Sequence, residues 1–314
     1  MTPLLALRLA APHTWPPASI TPAILGVLLA LDFTGRAPPL LSAALFLIVI
    51  LMQSAANTFN DYADFVKGLD TKENSGEPED AVLVYNRLDP KSALYLAAGF
   101  LAAAGLLGAY VVVSSGPASL FVGFAGAAAL ILYSISPRPV SFLPLGELVS
   151  GFVMGGLIPF GVHAALTGSV DPVVIILSVP CIIGVGLVMM TNNLCDIERD
   201  QRAGRKTLPV LLGRERARKL YLFLFLLMIL SLPAIGLWQF GFTVLGIVPA
   251  LIAGLPLFRR LFRLDYLHTQ RALCFKTIIL ADLLAYAAYF MMILPHILIQ
   301  FSGKEEWLWL LSIK

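Results

Sequence analysis

Three features of the sequence predict an all-α protein that crosses a membrane many times. Hydrophobic residues make up 58% of the 314 positions and charged residues only 13%, against roughly 45–50% and about 25% in soluble domains. Mean hydropathy is +0.84, too apolar for a surface that faces water. The apolar stretches also recur at lengths close to the ~20 residues an α-helix needs to span a bilayer. Nine spans are expected, at about 17–35, 39–59, 92–113, 116–135, 145–166, 172–194, 218–236, 241–258 and 273–300. Together they form one transmembrane domain over residues 1–314.

The opening MTPLLALRLAAP is interrupted by Arg8 and too short to cross. It is expected to lie along the membrane surface rather than to act as a cleaved signal. Orientation follows from Lys and Arg. With nine spans, all 22 of them except Arg36, Lys304 and Lys314 fall on the side of the N-terminus. That face is expected to be cytoplasmic, in a plasma-membrane protein. Its two long polar segments, about 61–90 and 195–217, are where function is expected. Cys181, Cys195 and Cys274 have no metal-ligand spacing and read as small apolar helix residues.

Each long polar segment begins with an acidic cluster. In AANTFNDYADFVKGLD, Asn57, Asn60, Asp61 and Asp64 fall within about 100° of helix surface, with Gly68 ending the helix and Asp70 on the turn. In TNNLCDIERDQRAGRKTL, Asn192, Asn193, Asp196 and Asp200 do the same, while Glu198 points away. Carboxylates stacked on one helix face repel, and near a membrane they are expensive and mark function. Oxygen-only ligands suit a hard cation, Mg²⁺ before Ca²⁺. No His or Cys joins either cluster, which argues against zinc. Arg199, Arg202, Arg205 and Lys206 follow the second cluster and are suited to phosphate oxygens. The alternative is a solvated loop whose cations touch anionic headgroups, and a transporter is the competing function class.

The segment from Asn60 to Asp70, NDYADFVKGLD, resembles the first aspartate-rich motif of the UbiA-type intramembrane prenyltransferases. NNLCDIERD followed by GRKTL, from Asn192 to Leu208, resembles the second. TWPPASITPAILG near the start and YSISPRPVSFLPLGEL at 133–148 match more weakly. The form is closest to the dihydroxynaphthoate polyprenyltransferases of menaquinone synthesis. The resemblance implies nine helices around a central cavity with cytoplasmic cap loops. It implies Mg²⁺ held by Asn60, Asp61, Asp64, Asp196 and Asp200, with Asp64, Asp70, Asp196 and Asp200 serving catalysis. Asn57, Asn192, Asn193, Arg202 and Lys206 would bind a polyprenyl diphosphate, and an aromatic acceptor would take the chain. Another quinone precursor or a polar lipid is the alternative acceptor. Membrane lipid is an expected partner; nucleic acid is not.

The sequence departs from the family in one place. Relatives continue from the first motif into a stretch containing Arg and Pro; here TKENSGEPEDAVLVYNRLDP is acidic. Lys72 or Arg87 is expected to replace the missing cation. The loop then reads as a lid with Arg87 turned inward and the run 81–85 packed over the substrate or the bundle edge. Tyr133 and Glu147 are candidate substrate contacts, with interfacial roles as the alternative. Asp282 faces either the cavity or a neighbouring helix. His163 and His296 read as structural, and Trp307 and Trp309 as an interface anchor.

Overall fold

The computed structural model describes residues 1–71 and 81–301. The acidic centre of the loop, including Lys72, Glu73, Glu77, Glu79 and Asp80, and the tail with Trp307 and Trp309 lie outside the described residues. The described chain is helical throughout, with no β-strand among the described residues. A surface helix α1 (Pro3–Ala10) leads into α2 (Pro16–Thr34) and α3 (Pro39–Val66). A single turn, α4 (Val82–Tyr85), precedes α5 (Pro90–Ser115) and α6 (Pro117–Ser134). Then come α7 (Gly146–Thr167), α8 (Val179–Cys195) and the short helices α9 (Ile197–Arg202) and α10 (Leu208–Leu212). Helices α11 (Arg214–Ile235), α12 (Ile247–Arg263) and α13 (Arg271–Phe301) complete the bundle.

The starts are proline starts. Pro39 and Pro90 occupy first-turn positions where the missing N–H costs nothing, and Asp89 adds a side-chain cap by accepting from the Lys91 N–H at 3.0 Å. Helix α3 runs past the expected end of its span, so Asn60, Asp61 and Asp64 are helical and share a face. The second motif departs from the expected single arc. Its helix breaks at Asp196 (φ −108°, ψ 18°) and restarts as α9. The Asp196 N–H still donates to the Asn192 carbonyl (3.1 Å), and the Asp200 N–H to the Asp196 carbonyl (2.8 Å). The four-residue repeat therefore survives the break.

Seven helical runs among the described residues are long and apolar enough to cross a membrane. Two of the nine expected segments merge in one run of 50 residues, Arg214–Arg263. As one straight helix it would reach about 75 Å, more than twice a hydrocarbon core. It turns instead near Gly241, whose φ of +59° a side chain would strain, and α12 returns along α13. The expected segment 172–194 is divided, leaving the 17-residue α8.

Helix α8 sits at the centre of the main core, against α7, α11 and α13. The α7–α8 approach is backbone to backbone: a Cβ on Gly155 would collide with the Cys181 carbonyl. A second cluster joins α2, α3 and α7 through Ala23, Leu45, Val49 and Val162. Helices α5 and α6 turn large apolar side chains outward, Val113 at 87% exposed and Phe121 at 82%. Such a surface suits lipid rather than water.

Candidate active site

A cavity of about 1140 Å³ opens between these helices. Its polar end is lined by both acidic clusters; its apolar walls come from α3, α5, α6 and α7. Along α3 the lining runs from Asp64 to Leu45, a rise of about 28 Å, close to the ~30 Å of a hydrocarbon core.

Helix α3 brings Asn57, Asn60, Asp61 and Asp64 to the cavity, and the turn at Gly68 returns Asp70 to it. The turn is closed by the Leu69 and Asp70 N–H groups donating to the Asp64 carbonyl, at 2.9 and 3.3 Å. Helices α8 and α9 bring Asn192, Asn193, Asp196 and Asp200 to the opposite wall. Between the walls lies Arg205. Its guanidinium donates to Asp64 Oδ1 at 2.6 Å and stands 3.7 Å from Asp200 Oδ1. One cation thus reaches both motifs. Thr207 Oγ1 also donates to Asp200, at 3.2 Å. Burial pushes the Asp200 carboxyl up to about 6, with Arg205 opposing the rise. Lys67 donates to the Ser134 carbonyl at 3.1 Å and shares the Phe142 ring with Arg205. Burial lowers its pKa, against the pull of Asp64.

On the second wall Arg271 donates to Asn192 Oδ1 at 2.9 Å and pairs with Asp196 Oδ2 at 3.3 Å. His268 Nδ1 lies 2.7 Å from Asp196 Oδ1. Spacing within the motifs gave no sign of either residue, because both come from the start of the last span; a basic residue at that boundary is the one available signal. Glu198 points away, as expected, and is held by Arg214 through two 2.8 Å bonds that depress its carboxyl.

Several expected site residues are placed differently. Lys206 is exposed and off the cavity; its backbone N–H donates to the Phe142 carbonyl, and the neighbouring Arg205 points inward instead. Beyond Arg202 the chain leaves the helix, so helical spacing no longer decides which side chain faces in. Arg87 is exposed in a left-handed turn (φ +48°) and does not line the cavity. Val82 and Leu83 instead pack on the bundle edge, against Leu9 and Ala93. Arg202 and Tyr133 line the cavity. Asn57 also lines it, but its amide donates to the Ala10 carbonyl (2.9 Å) and to Thr14 (3.0 Å), which ties the N-terminal segment to α3. Glu147 lies behind the wall and accepts from the Asn193 amide at 2.8 Å, so its part is to orient Asn193. Asp282 is buried in the core away from the cavity. His296 bonds Asp32 at 2.8 Å across helices, and His163 stacks edge-on against Phe33.

The donor set fits Mg²⁺. Both walls offer carboxylate and amide oxygen, and Arg205 marks a point where a positive charge is stabilised by both. Among the described residues no three acidic, His or Cys groups converge as a closed metal site. Mg²⁺ needs none, since it takes one or two carboxylates and completes its shell with substrate phosphates and water.

Comparison with known proteins agrees with this architecture. The profile of the UbiA prenyltransferase family matches residues 19–298. The 1,4-dihydroxy-2-naphthoate octaprenyltransferase of Bacillus subtilis is 35% identical over 239 residues, covering 76% of this chain and 73% of that one. The Haemophilus influenzae enzyme of the same name is 33% identical over 177 residues, 55% of this chain; the match spans 57% of that relative, less than two thirds of its length. A UbiA homologue from Archaeoglobus fulgidus, solved bound to GPP and Mg²⁺, shares the fold with a TM-score of 0.61 at 19% identity, over 92% of this chain and 99% of that one. The chain is a multi-pass membrane prenyltransferase and belongs to the UbiA prenyltransferase family.

Proposed function

We propose that this enzyme transfers a polyprenyl chain from an allylic diphosphate to 1,4-dihydroxy-2-naphthoate in a Mg²⁺-dependent step of menaquinone synthesis. The observation that carries this reading is the pair of acidic helix ends, joined through Arg205, above an apolar chamber almost as deep as a bilayer's hydrocarbon core. The similarity to two dihydroxynaphthoate octaprenyltransferases supports the acceptor.

The protein crosses the plasma membrane nine times, with the charged face in the cytoplasm. This count separates α11 from α12 and lets α8 complete a span with the short helix before it. Cysteine placed at exposed Gln201 should react only from inside sealed cells, and at exposed Ser169 only from outside; same-side labelling would remove one crossing.

Asn60, Asp61, Asp64, Asp196 and Asp200 are the residues that would hold Mg²⁺, with Asn192 beside them. Bound Mg²⁺ would neutralise the diphosphate and stabilise charge on its leaving oxygen. Arg202 and Arg205 add cationic contacts to that oxygen-rich end. The walls of α3, α5, α6 and α7 hold the isoprenoid and keep water from the allylic cation. The electron-rich ring attacks that cation at the carbon bearing its carboxylate, which leaves as carbon dioxide and returns the electron pair to the ring. Asp64 or Asp70 takes the proton of a ring hydroxyl as the ring attacks and returns it afterwards. Asn193, oriented by Glu147, and Tyr133 face the acceptor. The test is to incubate the purified protein with prenyl diphosphates and a panel of aromatic and lipid acceptors and to identify products by mass spectrometry. A prenylated naphthoquinol is expected; product with another acceptor only would overturn the acceptor.

A further inference from the structure

The charges around the cavity mouth are unevenly placed. Arg199, Arg271 and His268 contact the second motif, and Arg205 is shared between Asp200 and Asp64. The first-motif wall carries Asp61, Asp64 and Asp70, while the sequence that follows it is acidic and Arg87 points away. Yet another cation does line the mouth: Arg8, near the end of α1, with Leu7, Ala11, Pro12 and His13 around it. Arg8 is exposed and makes no ion pair among the described residues.

The segment that carries Arg8 is held in place by several independent contacts. Leu9 is fully buried among Val82, Leu83 and Ala93. Its carbonyl accepts from Thr58 at 3.3 Å. The next carbonyl, of Ala10, accepts from Asn57 at 2.9 Å and from the Trp15 indole at 3.2 Å. Gln53 donates to both Thr14 and Asn57, and accepts from Ser19. Ala11 is a non-glycine residue in the left-handed region (φ +46°), a conformation that persists only where surroundings over-determine it. The reversal there lays α1 across the top of α3. The C-terminal end of a helix carries partial negative charge, so the helix end itself repels an anion. The Arg8 guanidinium is the group at this point that attracts one.

We propose that α1 is a fixed cap and that Arg8 is a further cation on the first-motif side for the diphosphate, beside the shared Arg205, standing in for the arginine absent from the stretch that follows Asp70. This rests on the prenyl-diphosphate reading given above. It makes Arg8 a binding residue for the pyrophosphate moiety and leaves the acceptor pocket to other residues.

The test uses the full-length protein in detergent. Arg8→Gln should raise the KM for prenyl diphosphate, and the inhibition constant of inorganic pyrophosphate with Mg²⁺, each by about tenfold, the worth of one charge-assisted hydrogen bond. The KM for the acceptor should not change. Arg8→Lys should recover at least part of the loss, and Arg87→Gln should match the wild type in all three constants. An unchanged pyrophosphate constant in Arg8→Gln would overturn the proposal, as would a rise confined to the acceptor. If the wild type bound pyrophosphate but formed no prenylated product, the proposed reaction would fall while the Arg8 comparison could still be read from pyrophosphate binding.

Discussion

The two acidic clusters carry nearly the same residues but are built differently. The first rides an unbroken helix, with Asn57 held to the N-terminal segment, Asn60 to Ser134 at 3.3 Å and Asp64 to Arg205 at 2.6 Å. The second is broken at Asp196, which is held by His268 and Arg271 from a distant part of the chain, while Asp200 has the nearby Arg205. The first wall is therefore continuous and, apart from Lys67 near Asp64, poor in positive charge of its own. The second is jointed and rich in it. Arg205 is the element that lets one wall compensate the other.

If both walls serve one substrate, the largest losses should be similar on the two sides. Asp64→Asn and Asp196→Asn should each lower turnover by at least ~100-fold, or about 2.7 kcal/mol of transition-state stabilisation. A large loss on one side only would mean that a single motif does the chemistry. Arg205→Met comes next. It leaves the buried Asp200 facing Asp64 without its cation, so thermal stability in detergent should fall by roughly 1–3 kcal/mol, and added Mg²⁺ should restore part of it. A stability fall that Mg²⁺ cannot touch would mean that Arg205 is structural alone. Arg271→Ala should be milder, about tenfold in turnover, since Asp196 keeps His268 and Arg199. Lys206→Ala should be near wild type, in contrast to Arg205→Met; equal losses would contradict the inward placement of Arg205.

Much of this was legible in the residues because helical periodicity holds within a helix. Asp61 and Asp64 sit one turn apart, so their shared face follows from spacing alone. The apolar stretches likewise placed α3, α5, α6 and α13 within a few residues of their observed ends outside the first motif. Periodicity stops where the helix stops. At Gly204, with φ +71°, the chain turns, and the choice between Arg205 and Lys206 passes to packing against Phe142. Partners far along the chain are invisible to spacing: Arg271 meets Asn192 across 79 positions, and Asn57 is claimed by a carbonyl 47 positions earlier. The merged run Arg214–Arg263 shows the same limit in another form. Composition marks two apolar segments there, but the turn that separates them depends on the backbone at Gly241.

The most direct test of the central claim is Mg²⁺-dependent product formation by the purified protein from a polyprenyl diphosphate and 1,4-dihydroxy-2-naphthoate, with Asp64→Asn, Asp196→Asn and the double variant measured side by side. If both motifs act on one diphosphate, EDTA abolishes product and Mg²⁺ restores it. The double variant then loses far less than the product of the two single losses, because removing either wall already disables the shared site. Full activity in EDTA, or two losses that simply multiply, would contradict it.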